Sequence, residues 1–253
     1  MFGGVKLWLG RWLANYLSTP IRRYRPFSVH DVSTLETTLR PADILLVEGN
    51  TRISTAIKYL TQSTWSHTAM YVGEIPDYDA DGEPCDLVEA DLKKGVIGVP
   101  LSKYKNFNTR ICRAVDLNSE DEQLVVHYMI DSLGKSYDLK NVTDLLRYLM
   151  PTPPVPVQWR RRLIALGSGD PSRAICSTLI AQAFQSVHYP ILPTIEKTTR
   201  IEDYGYTEAE LLHIRHYSLF SPRDFDISPY FRVMKPTIES GFDYRNLNWS
   251  HRQ

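Results

Sequence analysis

One titratable ring and one thiol carry the most specific chemistry in this sequence. His67 stands in the stretch STWSHTAMYVG, which otherwise alternates like a half-buried strand, so its ring lies at the start of that strand. Cys176 stands in RAICSTLIAQAF, whose apolar spacing predicts a helix with one buried face. The free N–H groups and the dipole of a helix start favour a thiolate. Alone this is weak evidence, because free cysteines are commonly small buried apolar side chains.

A carboxylate in a second predicted strand completes a candidate set of three residues. Glu89 lies between Val88 and Ala90 in the apolar run LVEADL, where a charge without a partner would be costly. If this strand lies beside the histidine strand, Glu89 can hold one ring nitrogen of His67 while the other nitrogen serves the thiol. The three residues together suit nucleophilic catalysis by a cysteine with an imidazole base.

Composition limits the classes of protein to consider. The chain has 253 residues, 43% of them hydrophobic, which is enough to bury a full core. Its formal net charge of +0 gives no overall electrostatic footprint for nucleic acid. The three cysteines are widely separated and form no C-x-x-C pair, which favours a reducing, cytoplasmic location over a disulfide framework or a zinc knuckle.

The N-terminal residues form an amphipathic and basic segment. Lys6 and Arg11 interrupt the apolar run, so neither a signal peptide nor a membrane span is predicted. Trp8 and Trp12 stand beside five cations with no acid before Asp31, a pattern typical of a helix lying in a membrane interface. The alternative is an amphipathic helix packed on the domain itself or on a second subunit, and periodicity does not choose between them.

The remaining elements can be read from periodicity and turn signals. RPADILLVEG, SHTAMYVG and CDLVEADL predict strands, TRISTAIKYLTQ predicts a helix, and VIGVPLSKY predicts a further extended segment. SEDEQLVVHYMIDSLG predicts a helix with Ser119 as its N-cap, and we expect helices to dominate after it. The tail SLFSPRDFDISPYFRVMKP reads as extended, and GSGD at 167–170 reads as a hinge.

Other titratable residues give no comparable pattern. The histidines at 127, 188, 213 and 216 form no tight ligand motif, so no metal site and no cofactor are predicted.

The order of the motifs resembles that of a known enzyme family. LRPADILLVEG, WSHTAMYVG, LVEADLKKGVIGVPLSKY, LGKSYDL and RAICSTLIAQAF are similar to the permuted papain-like cysteine hydrolases of the NlpC superfamily, in the YiiX/YebB-like branch, which is distantly related to lecithin:retinol acyltransferase. The resemblance assigns the nucleophile to Cys176, the base to His67 and the orienting residue to Glu89. The family's usual glycine before the aspartate of the first motif is Ala42 here, which questions the geometry of that turn.

The resemblance implies an α+β, circularly permuted papain-like fold, in which a small antiparallel sheet packs on the helix that carries Cys176. The resemblance covers residues 39–234, so we expect three parts: an N-terminal amphipathic helix and linker over 1–38, a catalytic domain over 39–234 with an insertion or lid at 150–172, and a tail over 235–253. Tyr137 could add a hydroxyl at the oxyanion or substrate, although a packed core aromatic is the favoured interpretation.

Three functional hypotheses follow. The first is a hydrolase or acyltransferase that cleaves an ester or amide acyl bond through a thioester, acting on a lipid-like substrate at a membrane that Trp8, Trp12 and Arg11 contact. The second is an amidase or peptidase acting on a peptide or cell-wall-type amide. The third is a non-catalytic lipid-binding module. The oligomeric state is left open.

Overall fold

The fold is built on an antiparallel sheet with helical elements on both faces. The computed structural model describes residues 19–20, 26, 32–79, 81–91, 93–135, 175–202, 205–213, 215–239, 241–243 and 245. In this part of the chain a six-stranded sheet has the order β4-β3-β2-β1-β5-β8, and a separate hairpin pairs β6 with β7. The predicted α+β class with an antiparallel sheet is confirmed.

The elements follow in a mixed order along the chain. The strands are β1 Ile44–Val47, β2 His67–Tyr78, β3 Pro84–Asp91, β4 Gly95–Val99, β5 Thr109–Ala114, β6 Thr194–Glu202, β7 Gly205–His213 and β8 Phe231–Met234. The described helices are α1 Val32–Thr38, α2 Arg52–Thr61, α3 Ser119–Ile130, α4 Ile175–Ser186, α5 Pro222–Ile227 and α6 Pro236–Glu239, with 3-10 turns at Leu101–Tyr104 and Tyr217–Leu219.

The sheet has a hydrophobic cluster on each face. Because side chains alternate along a strand, Met70 and Val88 join one cluster while Ala69 and Leu87 join the other. The first cluster also contains the buried faces of α3 and α4. The second is covered by α1 and by the 3-10 turn after β4, and it includes Leu35, which precedes the domain start predicted at residue 39.

The segment before β2 is held by a polar cluster. The indole Nε1 of Trp65 donates to Asp226 of α5 at 3.1 Å, and Arg110 of β5 bonds the same carboxylate at 2.5 Å. The Arg110 guanidinium also lies 5.0 Å from the centre of the Trp65 ring. Ser66 then accepts from the Gly49 N–H at 2.9 Å, so the chain enters β2 at a fixed position.

Several local predictions need correction. The N-cap of α3 is Asn118, whose side chain accepts from the Asp121 N–H, whereas Ser119 is the first helical residue. The segment VIGVPLSKY is extended only to Val99 and then forms the 3-10 turn. Among the described residues after α3, helices do not dominate, because β6, β7 and β8 lie there. The helix α5 also interrupts the tail predicted as extended.

The turn before β1 holds Ala42 in a left-handed conformation. The φ of Ala42 is 64°, and the Asp43 N–H donates to the Arg40 carbonyl at 3.0 Å, as in a type II turn with Pro41 at its second position. Glycine adopts this conformation without steric cost. Alanine therefore keeps the turn that the family's usual glycine would make, with strain of about 1–2 kcal/mol.

We expect Ala42→Gly to be far better tolerated than Ala90→Gly. Both alanines are buried and both replacements remove a methyl group, but Ala90 lies in the extended β3 strand. Only at Ala42 does glycine relieve a left-handed strain, so the two free energies of unfolding should differ by about 1–2 kcal/mol. Urea unfolding of both variants measures this difference. Equal losses of stability would contradict the strained turn.

Candidate active site

His67 reaches from the end of the sheet toward a helix start. It is the first residue of β2 and pairs with Val47 of β1. Its side chain is 24% exposed, and its Nε2 lies 2.9 Å from Oε2 of Glu89. Glu89 is opposite Ala69 in the β2–β3 ladder, which places it diagonally next to His67 on the same face.

Cys176 comes to the ring from the other side of the sheet. It is the second residue of α4, it is 6% exposed, and it belongs to the cluster formed by the buried face of that helix. Its thiol is hydrogen-bonded to His67 and to the backbone of Thr68. Because Nε2 of His67 is hydrogen-bonded to Glu89, Nδ1 is the ring nitrogen that can hydrogen-bond to Cys176.

Three donors surround the buried carboxylate of Glu89. Its side chain is 1% exposed, Oε1 accepts from Lys103 Nζ, and Oε2 accepts from the Tyr104 hydroxyl as well as from His67. Lys103 and Tyr104 both belong to the 3-10 turn after β4. The donors fix the plane of the carboxylate, and through it the orientation of the imidazole.

The charges of the three residues support one another. Burial alone would raise the pKa of Glu89, but the charges of His67 and Lys103 and the hydrogen bonds from both hold that pKa far below its usual range. Burial would lower the pKa of His67, yet the Cys176 thiolate and the Glu89 carboxylate raise it to about 10. Despite burial, the charge of His67 and the hydrogen bonds from His67 and from the Thr68 backbone lower the pKa of Cys176. The favoured state is a thiolate–imidazolium pair.

The structure brings together the three residues that the sequence singled out. The other predicted site residues, Tyr137 and the membrane contacts Trp8, Trp12 and Arg11, lie outside the described residues. The predicted lid at 150–172 also lies outside them.

Sequence reasoning missed three residues of the site. Thr68 contacts the thiol, and Lys103 and Tyr104 contact Glu89. The signal for the last two was Glu89 itself, because a carboxylate in an apolar strand must find donors. The sequence did not say that the turn after β4 would supply them.

Neither a cluster of metal ligands nor a membrane-spanning helix occurs among the described residues. No group of three or more His, Cys, Asp or Glu side chains converges there as a set of metal ligands. None of the helices described is both long enough and apolar enough to cross a bilayer.

Comparison with known proteins finds a family-model match for the segment that carries His67 and Glu89. Residues 38–148 match the family model of the permuted papain-like amidase enzymes, YaeF/YiiX, C92 family. The YiiX-like resemblance is confirmed. The match to this amidase family includes Lys103 and Tyr104 and ends before Cys176, which the fold brings to the same place.

A solved structure and a search of curated proteins complete the comparison. The crystal structure of metalloprotein yiiX from Escherichia coli O157:H7 is 16% identical, with a TM-score of 0.45, and the alignment covers 78% of this chain and 97% of that chain. No curated protein matches the sequence significantly.

We expect iodoacetamide near neutral pH to modify Cys176 well before Cys85 or Cys112. All three are buried free thiols, but the pKa of Cys176 is lowered, whereas burial raises the pKa of Cys112. Peptide mass spectrometry after limited labelling identifies the modified residue. Earlier labelling of Cys85 or Cys112 would mean that the reactive thiol is assigned wrongly.

His67→Gln provides the control for this experiment. Without the imidazolium, burial becomes the dominant influence on the Cys176 thiol, so the pH at which labelling is half-maximal should rise. An unchanged pH dependence would show that His67 does not promote the thiolate.

Proposed function

We propose that the protein is a cysteine hydrolase or acyltransferase in which Cys176 attacks an ester or amide carbonyl, His67 moves the proton and Glu89 orients His67. At the coarse level, the family that residues 38–148 match is one of papain-like amidases, which supports hydrolysis of an amide or ester bond by a cysteine enzyme. The observation that carries the assignment is that His67 contacts both Cys176 and Glu89.

The reaction would proceed in two halves. In the first, the Cys176 thiolate forms a bond to the acyl carbon, the bond to the leaving nitrogen or oxygen breaks, and His67 transfers its proton to that leaving group. In the second, His67 takes a proton from water or from an acceptor alcohol or amine, which attacks the thioester and releases the sulfur as thiolate. Glu89 remains ionised throughout and stabilises the imidazolium.

The helix start supplies a donor for the oxyanion. The backbone N–H of Cys176 belongs to the first turn of α4, where N–H groups have no partner within the helix. A tetrahedral intermediate on the Cys176 sulfur would place its oxygen near this N–H.

The residues of the site do not fit a bound metal. Although the yiiX structure is titled a metalloprotein, both oxygens of Glu89 here accept hydrogen bonds, and one of the donors is the Lys103 ammonium. The Lys103 ammonium beside the carboxylate would repel a metal cation. The two ring nitrogens of His67 already interact with Glu89 and Cys176. No metal takes part in the proposed reaction.

The substrate we favour is a lipid-like acyl compound at a membrane surface on the cytoplasmic side. Support comes from the N-terminal sequence, whose tryptophans and uncompensated cations suit an anionic interface. Further support is that Pro20 pairs with Thr51, four residues after Val47, the partner of His67. The N-terminal part of the chain therefore meets the domain, at Pro20, near the end of the sheet where the candidate site lies.

An amidase acting on a peptide or cell-wall-type amide is the second candidate. The description of the family as amidases favours it, and the same three residues would serve it. A p-nitrophenyl ester and a p-nitroanilide with the same acyl group distinguish ester from amide preference. A non-catalytic lipid-binding module would hydrolyse neither.

We expect Glu89→Gln to lower kcat/KM roughly 10²- to 10⁴-fold while the fold survives, because glutamine keeps the shape but loses the charge that stabilises the imidazolium. Lys103 is 39% exposed and can turn to solvent when its partner is neutral. Hydrolysis of the two chromogenic substrates measures the rate, and circular dichroism checks the fold. Glu74→Gln, on an exposed position of β2, is the matched control. An unchanged rate in Glu89→Gln would remove Glu89 from the mechanism.

We expect the full chain to sediment with anionic vesicles, and less so at high salt, whereas Trp8→Ala/Trp12→Ala should bind more weakly at the same net charge. The double replacement removes aromatic insertion, and salt screens the attraction of the basic residues. Co-sedimentation with anionic and neutral vesicles measures both effects, and a chain beginning at Arg25 removes the amphipathic segment. Absence of binding by the full chain, or equal binding by all three proteins, would mean that this segment does not dock the protein on lipid.

A further inference from the structure

The 3-10 turn after β4 presents two donors to a single buried carboxylate. Lys103 and Tyr104 are consecutive in this turn, yet they bond different oxygens of Glu89. Tyr104 is 4% exposed and packs in the second hydrophobic cluster, with its ring centre 6.3 Å from that of His67. The Lys103 side chain is 39% exposed. A buried carboxylate needs hydrogen-bond donors, and Tyr104 and His67 already supply two. The charged ammonium group of Lys103 is therefore more than burial of Glu89 requires.

The charge balance of the site explains the presence of a cation beside Glu89. Cys176 and Glu89 are the two anions that face His67, and together they bind its proton firmly. A base that holds its proton too firmly is a poor acid for the leaving group, since catalysis is best when the pKa lies near the working pH. A cation on the far oxygen of Glu89 offsets part of the negative charge that His67 experiences.

We propose that Lys103 is a positioning residue for the reaction, whose ammonium group neutralises the outer oxygen of Glu89 so that the carboxylate orients His67 without retaining its proton. This inference rests on the proposed function, because it assigns Lys103 a part in the same proton transfer. Tyr104 has the complementary part, fixing the inner oxygen without changing the charge.

Removal of the Lys103 charge should raise the pKa values of both Cys176 and His67. The groups around the pair are Glu89 and Asp91 on β3, Lys103 and Tyr104 on the 3-10 turn, and Cys176 on α4. Removing the Lys103 cation makes loss of a proton harder for both Cys176 and His67. Neighbouring charges shift a pKa by one to three units, and exposure of Lys103 screens part of this, so we expect upward shifts of about half to one unit.

The pH profile of Cys176 alkylation tests the inference without a known substrate. In the full chain, the rate of iodoacetamide labelling should change at two pH values, where the thiolate forms and where the imidazolium loses its proton. In Lys103→Met both midpoints should move upward by about half to one pH unit, and Lys103→Gln provides a second uncharged variant. Lys103→Arg should restore the normal profile, because it keeps the charge. Lys105→Met, at the exposed end of the same turn, should leave the profile unchanged.

The outcomes separate this inference from the proposed function. Unchanged midpoints in Lys103→Met and Lys103→Gln, or a failure of Lys103→Arg to restore them, would overturn the role of the Lys103 charge. An equal shift in Lys105→Met would also overturn it, because the effect would then be general. A single midpoint at the ordinary pH of a free thiol in the unmodified protein would contradict the thiolate–imidazolium pair, and the proposed function with it.

Discussion

The buried carboxylate of Glu89 is the constraint on which the arrangement of the site depends. A charge with a side chain only 1% exposed must be compensated, and removing one partner of such a group typically costs about 3–5 kcal/mol. Its donors come from the start of β2 and from the turn after β4, so both segments are tied to the middle of β3. The requirement to satisfy one carboxylate therefore sets where the imidazole lies, before any contact with the thiol is considered.

Cys176, the proposed nucleophile, is positioned by a different part of the core. Glu89 and Tyr104 lie with the cluster on one face of the sheet, whereas Cys176 belongs to the cluster on the other face, packed with α4. His67 joins the two because it is the first residue of its strand and its ring extends past the end of the sheet. The distance between His67 and Cys176 thus depends on how α4 packs on β2 and β3, so a change in that packing should affect the reactivity of the thiol even when it lies away from the three residues.

Local patterns in the sequence were sufficient to predict the central elements and to single out His67, Glu89 and Cys176. Alternation identified β2, the apolar run ILLV identified β1, and helical spacing placed Cys176 at the start of α4. Features that depend on distant segments were not predictable in this way. Lys103 could be assigned to Glu89 only once the β3–β4 register was known. The tail was misread because its short helix α5 relies on a capping box between Ser221 and Asp224 rather than on periodicity.

The position of the proton in this site bears on the kind of bond it can cleave. Cys176 on one side and Glu89 on the other favour a charged His67, so in the proposed reaction the acid for the leaving group would be in place before substrate binds. An amine leaves an acyl carbon only when it is protonated, whereas an alkoxide or phenolate needs this help less. A preformed imidazolium therefore matters most for amides, in agreement with the amidase family that residues 38–148 match. The same pair would cleave esters more easily still, so in the proposed reaction the choice of substrate comes from the groups that bind the acyl chain and not from the chemistry of the three residues.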